Sequence, residues 1–129
     1  MRKNIREIYH SFDGKLIGTE EMKQYVCEVL GLMENNVINY ITSNCWFFGS
    51  MDDAFAFTFT GRDLKDKHLI FLSDELFMHG NEQIRYTIAH EIGHVMLGHR
   101  NSILEKQSKP EIYNQEREAD EFARKYVKV

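Results

Sequence analysis

The chain has little of what staples a small secreted domain or inserts one into a membrane. In 129 residues it holds two cysteines, Cys27 and Cys45, which form no C-x-x-C pair. That excludes a disulfide framework and fits buried thiols in a reducing cytosol. Long apolar runs are missing too: the longest aromatic run, Trp46-Phe47-Phe48, is far too short to span a bilayer. The opening Met1-Arg2-Lys3-Asn4-Ile5-Arg6-Glu7 lacks the apolar core of a signal peptide, so a cytoplasmic protein without membrane contact is expected. There is no basic excess. The net charge is −4 with both signs interspersed, which leaves no electrostatic footprint for direct nucleic-acid binding. No repeat, low-complexity segment or linker divides the chain. Residues 1–129 therefore read as one domain, large enough to bury most of its apolar surface without disulfides.

What the chain does have is His90-Glu91-Ile92-Gly93-His94. On a helix, residues i and i+4 stack one turn apart on one face, so both rings can reach one metal ion while Glu91 faces its open side. A catalytic zinc takes three protein ligands and keeps a fourth position for water, so a third ligand is required. The stretch Glu116-Arg117-Glu118-Ala119-Asp120-Glu121-Phe122-Ala123-Arg124-Lys125-Tyr126-Val127 has a helical period. At about 100° per residue, Ala119, Asp120, Ala123 and Val127 share the face of Glu116, while Glu118 lies on the opposite arc. Glu116 and Asp120 are thus expected on the buried side of this helix, where an unpaired charge is costly. Glu116 is assigned as third ligand, and Asp120 as the acceptor that orients a ligating ring. His99 is the rival. Five residues after His94, it falls roughly 140° off the metal face of a continuous helix and could return only if the helix ended near Gly98. The metzincin spacing is absent, because Leu97 and Arg100 occupy its positions.

Residues 81–99, with the helix sequence Thr87-x-Ala89-His90-Glu91-x-Gly93-His94-x-x-Leu97-Gly98-His99, followed by Glu116-x-x-Ala119-Asp120-x-Phe122-Ala123, resemble the ImmA/IrrE family of metallopeptidases. Asp120 stands where that family commonly has Asn, and the Glu-x-x-x-Asp spacing is similar to the gluzincin pattern. The resemblance covers roughly residues 55–127. It implies a bacterial, phage or mobile-element protease that cuts a DNA-binding, helix-turn-helix repressor. The chain lacks the leucine-rich, proline-terminated continuation common in that family.

Elsewhere, Thr19 with Glu20 and Glu21 starts a helix whose stripe, Met22, Val26, Val29 and Leu30, stops at Gly31. Residues 37–48 are apolar without clean period and are read as strand. Phe55, Phe57 and Phe59 alternate with Ala56, Thr58 and Thr60, which predicts a strand with a phenylalanine core face. Residues 61–67 form a polar turn, and residues 68–72 the hairpin partner. Ser73 caps a short helix ended by Gly80, and Asn81 caps the metal helix over residues 82–97. Residues 100–114, with the chain's only proline at Pro110, read as loop. His10, His68 and His79 have no ligand spacing and are read as surface or structural. Arg85 and Arg100 flank the metal helix and are read as solvent-exposed.

The expected fold is α+β: a small, mostly antiparallel sheet beside the HExxH helix, with a C-terminal helix supplying the third ligand in a minimal zincin-like domain. The expected activity is that of a zinc-dependent endopeptidase with Glu91 as general base. Tyr113, His99 and Tyr86 are candidates for stabilising the oxyanion. An extended peptide would add to a sheet edge at residues 55–60 or 68–72. Manganese or another divalent ion fits the same donors. The alternatives are a zinc-stabilised module that sequesters a regulator without cutting it, and a hydrolase of small amides.

Overall fold

The computed structural model describes residues 3–50, 56–60, 67–99 and 108–128, without the side chains of 50, 57, 59 and 60. Helix α1 (Ile5–Phe12) starts with a capping box, in which the Asn4 side chain accepts from the Glu7 amide and Glu7 returns a bond to Asn4. Asp13 and Gly14, both at positive φ, turn the chain into the two-residue strand β1 (Leu16–Ile17). Helix α2 (Glu20–Leu30) runs as its signals predict, capped by Thr19 and ended at Gly31. The sequence reading overlooked α1.

The next segment departs from expectation. Residues 35–44 form helix α3 (Asn35–Asn44), and only from Cys45 does the chain extend into strand β2 (Cys45–Ser50). Val37, Ile38, Ile41 and Thr42 are the buried residues of α3, a helical spacing, and α3 packs against α1. Their β-branched side chains favour strand locally, but burial against α1 outweighs that small preference.

Strands β3 (Ala56–Thr60) and β4 (His68–Ser73) pair antiparallel, with Thr58 opposite Ile70, as the hairpin reading required. The rest of the sheet corrects the expectation of a mostly antiparallel arrangement. The strand order is β1-β2-β4-β3, and both β1–β2 and β2–β4 are parallel, so two of three pairings run parallel. The cause is topological. A helical crossover, α2 with α3, joins β1 to β2 and permits the parallel direction that a tight turn forbids. The α+β class stands; the sheet is mixed and mainly parallel. β4 is therefore internal and cannot offer an edge, whereas β3 is an edge among the described strands.

Alternation along β2 and β4 buries Cys45, Phe47, Ile70 and Leu72, and Phe12 of α1 meets Phe47 edge-on at 5.6 Å. The phenylalanine core face expected at Phe55, Phe57 and Phe59 lies outside the described residues and side chains, as do the turn at 61–66 and the loop at 100–107. Thr58 is a buried residue of β3.

After β4, Ser73 caps a short 3-10 helix (Asp74–Met78). Helix α4 (Asn81–Met96) follows, with Gly80 rather than Asn81 at the cap position. The Asn81 side chain instead accepts a bond from the Tyr25 hydroxyl of α2. Helix α5 (Lys109–Arg124) begins earlier than the polar sequence suggested. Ser108 and Glu111 form a capping box and Pro110 sits in the first turn, where its missing N–H costs nothing. α4 lies between β3, α2 and α5, with its most extensive contact to α5. Cys27 and Cys45 are free and buried. No described helix is long and apolar enough to cross a membrane.

Candidate metal centre

α4 presents His90 and His94 one turn apart, with ring centroids 4.8 Å from each other. Glu116 of α5 reaches both. Its Oε2 lies 2.8 Å from His90 Nε2 and its Oε1 3.2 Å from His94 Nε2. The ligating atoms of these three residues all fall within 4.8 Å of one another, so they could hold one metal ion.

Proton accounting at His90 tests whether a cation fits. Asp120 Oδ1 stands 2.9 Å from His90 Nδ1 and also accepts the Tyr86 hydroxyl at 2.5 Å. An ionised carboxylate only accepts, so neutral His90 keeps its proton on Nδ1 and turns a bare Nε2 toward Glu116. Two lone pairs facing each other at 2.8 Å repel unless a proton or cation lies between them. Burial pushes His94 down to about 4, so near neutral pH this ring supplies no positive charge. A divalent ion meets the demand of both rings and of Glu116 together, and two imidazoles with one carboxylate are a zinc-type donor set.

Glu91, next in sequence to His90, is nearly fully buried and faces β3. Thr58 donates its hydroxyl to Glu91 Oε1 at 2.6 Å. Burial raises the Glu91 pKa above the ordinary carboxylate value, the Thr58 bond and the nearby His90 pull it back, and the Glu116 carboxylate raises it again. Thr58 escaped the sequence reading because the alternating phenylalanines looked like the inward face. The available signal was indirect: a buried carboxylate needs a partner.

The structure brings together His90, His94, Glu116 and Asp120, with Glu91 adjoining. It alters two expectations. The Glu116 side chain is 54% exposed rather than buried, because the sealed stripe of α5 starts only at Ala119 and continues through Phe122 and Ala123. Arg85, read as solvent-exposed, is half-buried and pairs with Glu28 at 3.1 Å over the Tyr25 ring; Arg100 lies outside the described residues. His10 and His79 are exposed, and His68 is buried with its Nε2 2.9 Å from the Tyr40 hydroxyl. Tyr86 is engaged with Asp120, and burial followed by that bond raises its pKa to about 12. His99 does not join the three ligating atoms. Its Nδ1 lies 3.0 Å from His94 Nδ1, and its Nε2 2.9 Å from Glu118 Oε1. Glu118 is not among the three residues whose ligating atoms converge, and the sequence reading gave neither His99 nor Glu118 this contact. α4 does end just before Gly98, the condition under which the sequence reading allowed His99 to swing back.

Gly93 sets how closely α5 approaches. A Cβ there would sit 3.1 Å from Phe122 Cδ1 and 3.2 Å from its Cβ and Cγ, tighter than ordinary packing. Gly93→Ala should therefore cost about 1–3 kcal/mol of stability through overpacking. It should also weaken metal binding, because Glu116 rides on the displaced helix. Thermal melts and zinc titration of the variant check both; an unchanged melt would show that Phe122 yields freely.

Two facing helices that carry two imidazoles, one shared carboxylate and an adjoining buried carboxylate define a candidate metal centre. Residues 64–129, which include both helices, match the family model Peptidase U49, and the chain belongs to that peptidase family. No curated protein and no solved structure matches the chain.

Proposed function

We propose that the chain is a zinc-dependent endopeptidase. In this reading His90, His94 and Glu116 hold the metal, Asp120 orients His90, and Glu91 moves protons. The observation that carries it is the convergence of two ring nitrogens and both Glu116 oxygens, within a segment that matches a peptidase family. A zinc ion held there would polarise water and stabilise negative charge on the substrate oxygen. Thr58 engages Glu91 Oε1, which leaves Oε2 to take the proton from water and pass it to the departing amine. Burial suits the task, since a carboxylate that prefers its neutral form is a stronger base. Tyr86 and His99 are committed to other partners, so Tyr113, exposed one turn before Glu116, is the remaining candidate for the oxyanion.

β3 is the edge on which an extended substrate would add as a strand, with Thr58 on its buried side next to the base. The ImmA/IrrE-like motifs imply a substrate class, a helix-turn-helix repressor in a bacterial, phage or mobile-element setting, met in the cytoplasm. Manganese could replace zinc with these donors.

The test uses the purified chain. Bound metal is measured by elemental mass spectrometry, and cleavage of the repressor encoded beside its gene, and of a denatured protein mixture, is followed by peptide mass mapping. Chelation should abolish cleavage and added zinc restore it. A chain that retains no divalent ion, or cuts equally well in chelator, would overturn the proposal. Metal-dependent binding of the repressor without cutting would point to the sequestering module instead.

A further inference from the structure

α4 ends in a turn that brings a third ring against its own second ligand candidate. Leu97 caps the helix, and Gly98 follows at φ +71°, a left-handed conformation that glycine adopts without strain. The Gly98 amide donates to Val95 O at 3.1 Å and the His99 amide to His94 O at 3.0 Å. These are the two bonds of a Schellman motif, which reverses the chain just past the helix. The reversal folds the His99 ring onto His94, with centroids 5.2 Å apart and the two Nδ1 atoms 3.0 Å apart. On its far side His99 Nε2 lies 2.9 Å from Glu118 Oε1 of α5. His99 is buried, while the Glu118 side chain is half-exposed.

A contact between two imidazole nitrogens holds a single proton, and the carboxylate decides whose it is. Glu118 only accepts, so neutral His99 carries its proton on Nε2 and leaves Nδ1 bare. The shared proton then belongs to His94 Nδ1, and His94 Nε2 is left bare on the side of Glu116. The reverse order would set the lone pair of His99 Nε2 against a carboxylate at 2.9 Å.

We propose that His99 and Glu118 are positioning residues that fix His94 as its Nδ1–H tautomer and aim its Nε2 at the metal. This rests on the metal-centre reading of His90, His94 and Glu116. The two candidate ligands are thereby held in parallel ways from opposite sides. His90 donates directly to the Asp120 carboxylate, and His94 donates to a carboxylate through an intervening ring. Both carboxylates stand on α5, so one helix supplies a candidate ligand and sets the proton order of both rings.

The test measures zinc affinity by competition with a chromogenic chelator, in the full chain and three variants. His99→Leu should bind zinc about 10- to 100-fold more weakly, the usual cost of losing an outer hydrogen-bond partner. His99→Gln, whose amide oxygen can accept the same proton, should recover most of that loss. A merely space-filling His99 would not require an acceptor. Glu118→Ala alters a half-exposed side chain and should lower the melting temperature less than His99→Leu does, while weakening zinc binding about 10-fold, the low end of that range. In zinc-loaded wild type, long-range 1H–15N spectra should show His99 protonated on Nε2 alone. The proposal is overturned if Glu118→Ala binds zinc as tightly as wild type, if His99→Gln is as weak as His99→Leu, or if His99 carries its proton on Nδ1. A wild-type chain that retains no zinc sinks the metal-centre reading itself, which separates the two failures.

Discussion

Glu91→Gln should lower peptide cleavage about 10²- to 10⁴-fold, the usual worth of a positioned general base, and should leave metal content unchanged. The substitution is nearly isosteric. The amide oxygen of Gln can still accept from Thr58, so the local packing that holds this side chain persists. What is lost is basicity. The residue is not among the three whose ligating atoms converge, so metal content stays at the wild-type level. Stability holds or rises, because removing a buried charge relieves a desolvation cost. The measurements are kcat on a cleavable peptide, metal content and a thermal melt. A variant that cuts at the wild-type rate would remove Glu91 from the chemistry and leave the metal centre standing.

Glu116→Ala acts on the other half of the site. Both of its oxygens approach ring nitrogens, so its loss removes the only carboxylate among the three converging residues. Metal affinity should fall by more than the roughly 10- to 100-fold typical of an outer partner, and cleavage should drop to background. The fold should survive, since the side chain is half-exposed and the sealed stripe of α5 begins one turn later. Glu121→Ala, on the same helix and paired with Arg117 across the solvent face, serves as the control with no effect on either quantity. Retention of metal by Glu116→Ala at wild-type affinity would mean that the converging atoms do not form the binding site.

Much of this geometry was readable from side-chain spacing, because helices encode their faces locally. Rings at positions 90 and 94 must share one face, and Glu116 and Asp120 must share another on a later helix. The caps at Thr19 and Ser73 and the stop at Gly31 are likewise local signals, and they placed their elements correctly. Failures came where distant contacts decide. Nothing in the chain between residues 37 and 48 announces that α1 awaits the apolar stripe of α3, so an apolar run without clean period suggested strand. β1 is two residues long and leaves no pattern, which hid the crossover and with it the parallel direction of the sheet. Thr58 and Glu118 were missed for the same reason: each has a polar side chain whose partner lies on another element. The family match over residues 64–129 reaches both site helices and stops short of Thr58.

Cys27 and Cys45 give the chain a built-in gauge of its own integrity. Burial pushes the Cys27 thiol up to about 11, with Glu28 adding to the effect, and pushes Cys45 well above the ordinary thiol range. Only the thiolate reacts with alkylating reagents, so near neutral pH both sulfurs are silent while the interior stays closed. Cys27 sits on α2 and Cys45 at the junction of α3 with β2, and neither is one of the converging site residues. The rate at which iodoacetamide labels them therefore counts opening of the interior, and a substitution that empties the site without speeding that labelling has changed the chemistry alone.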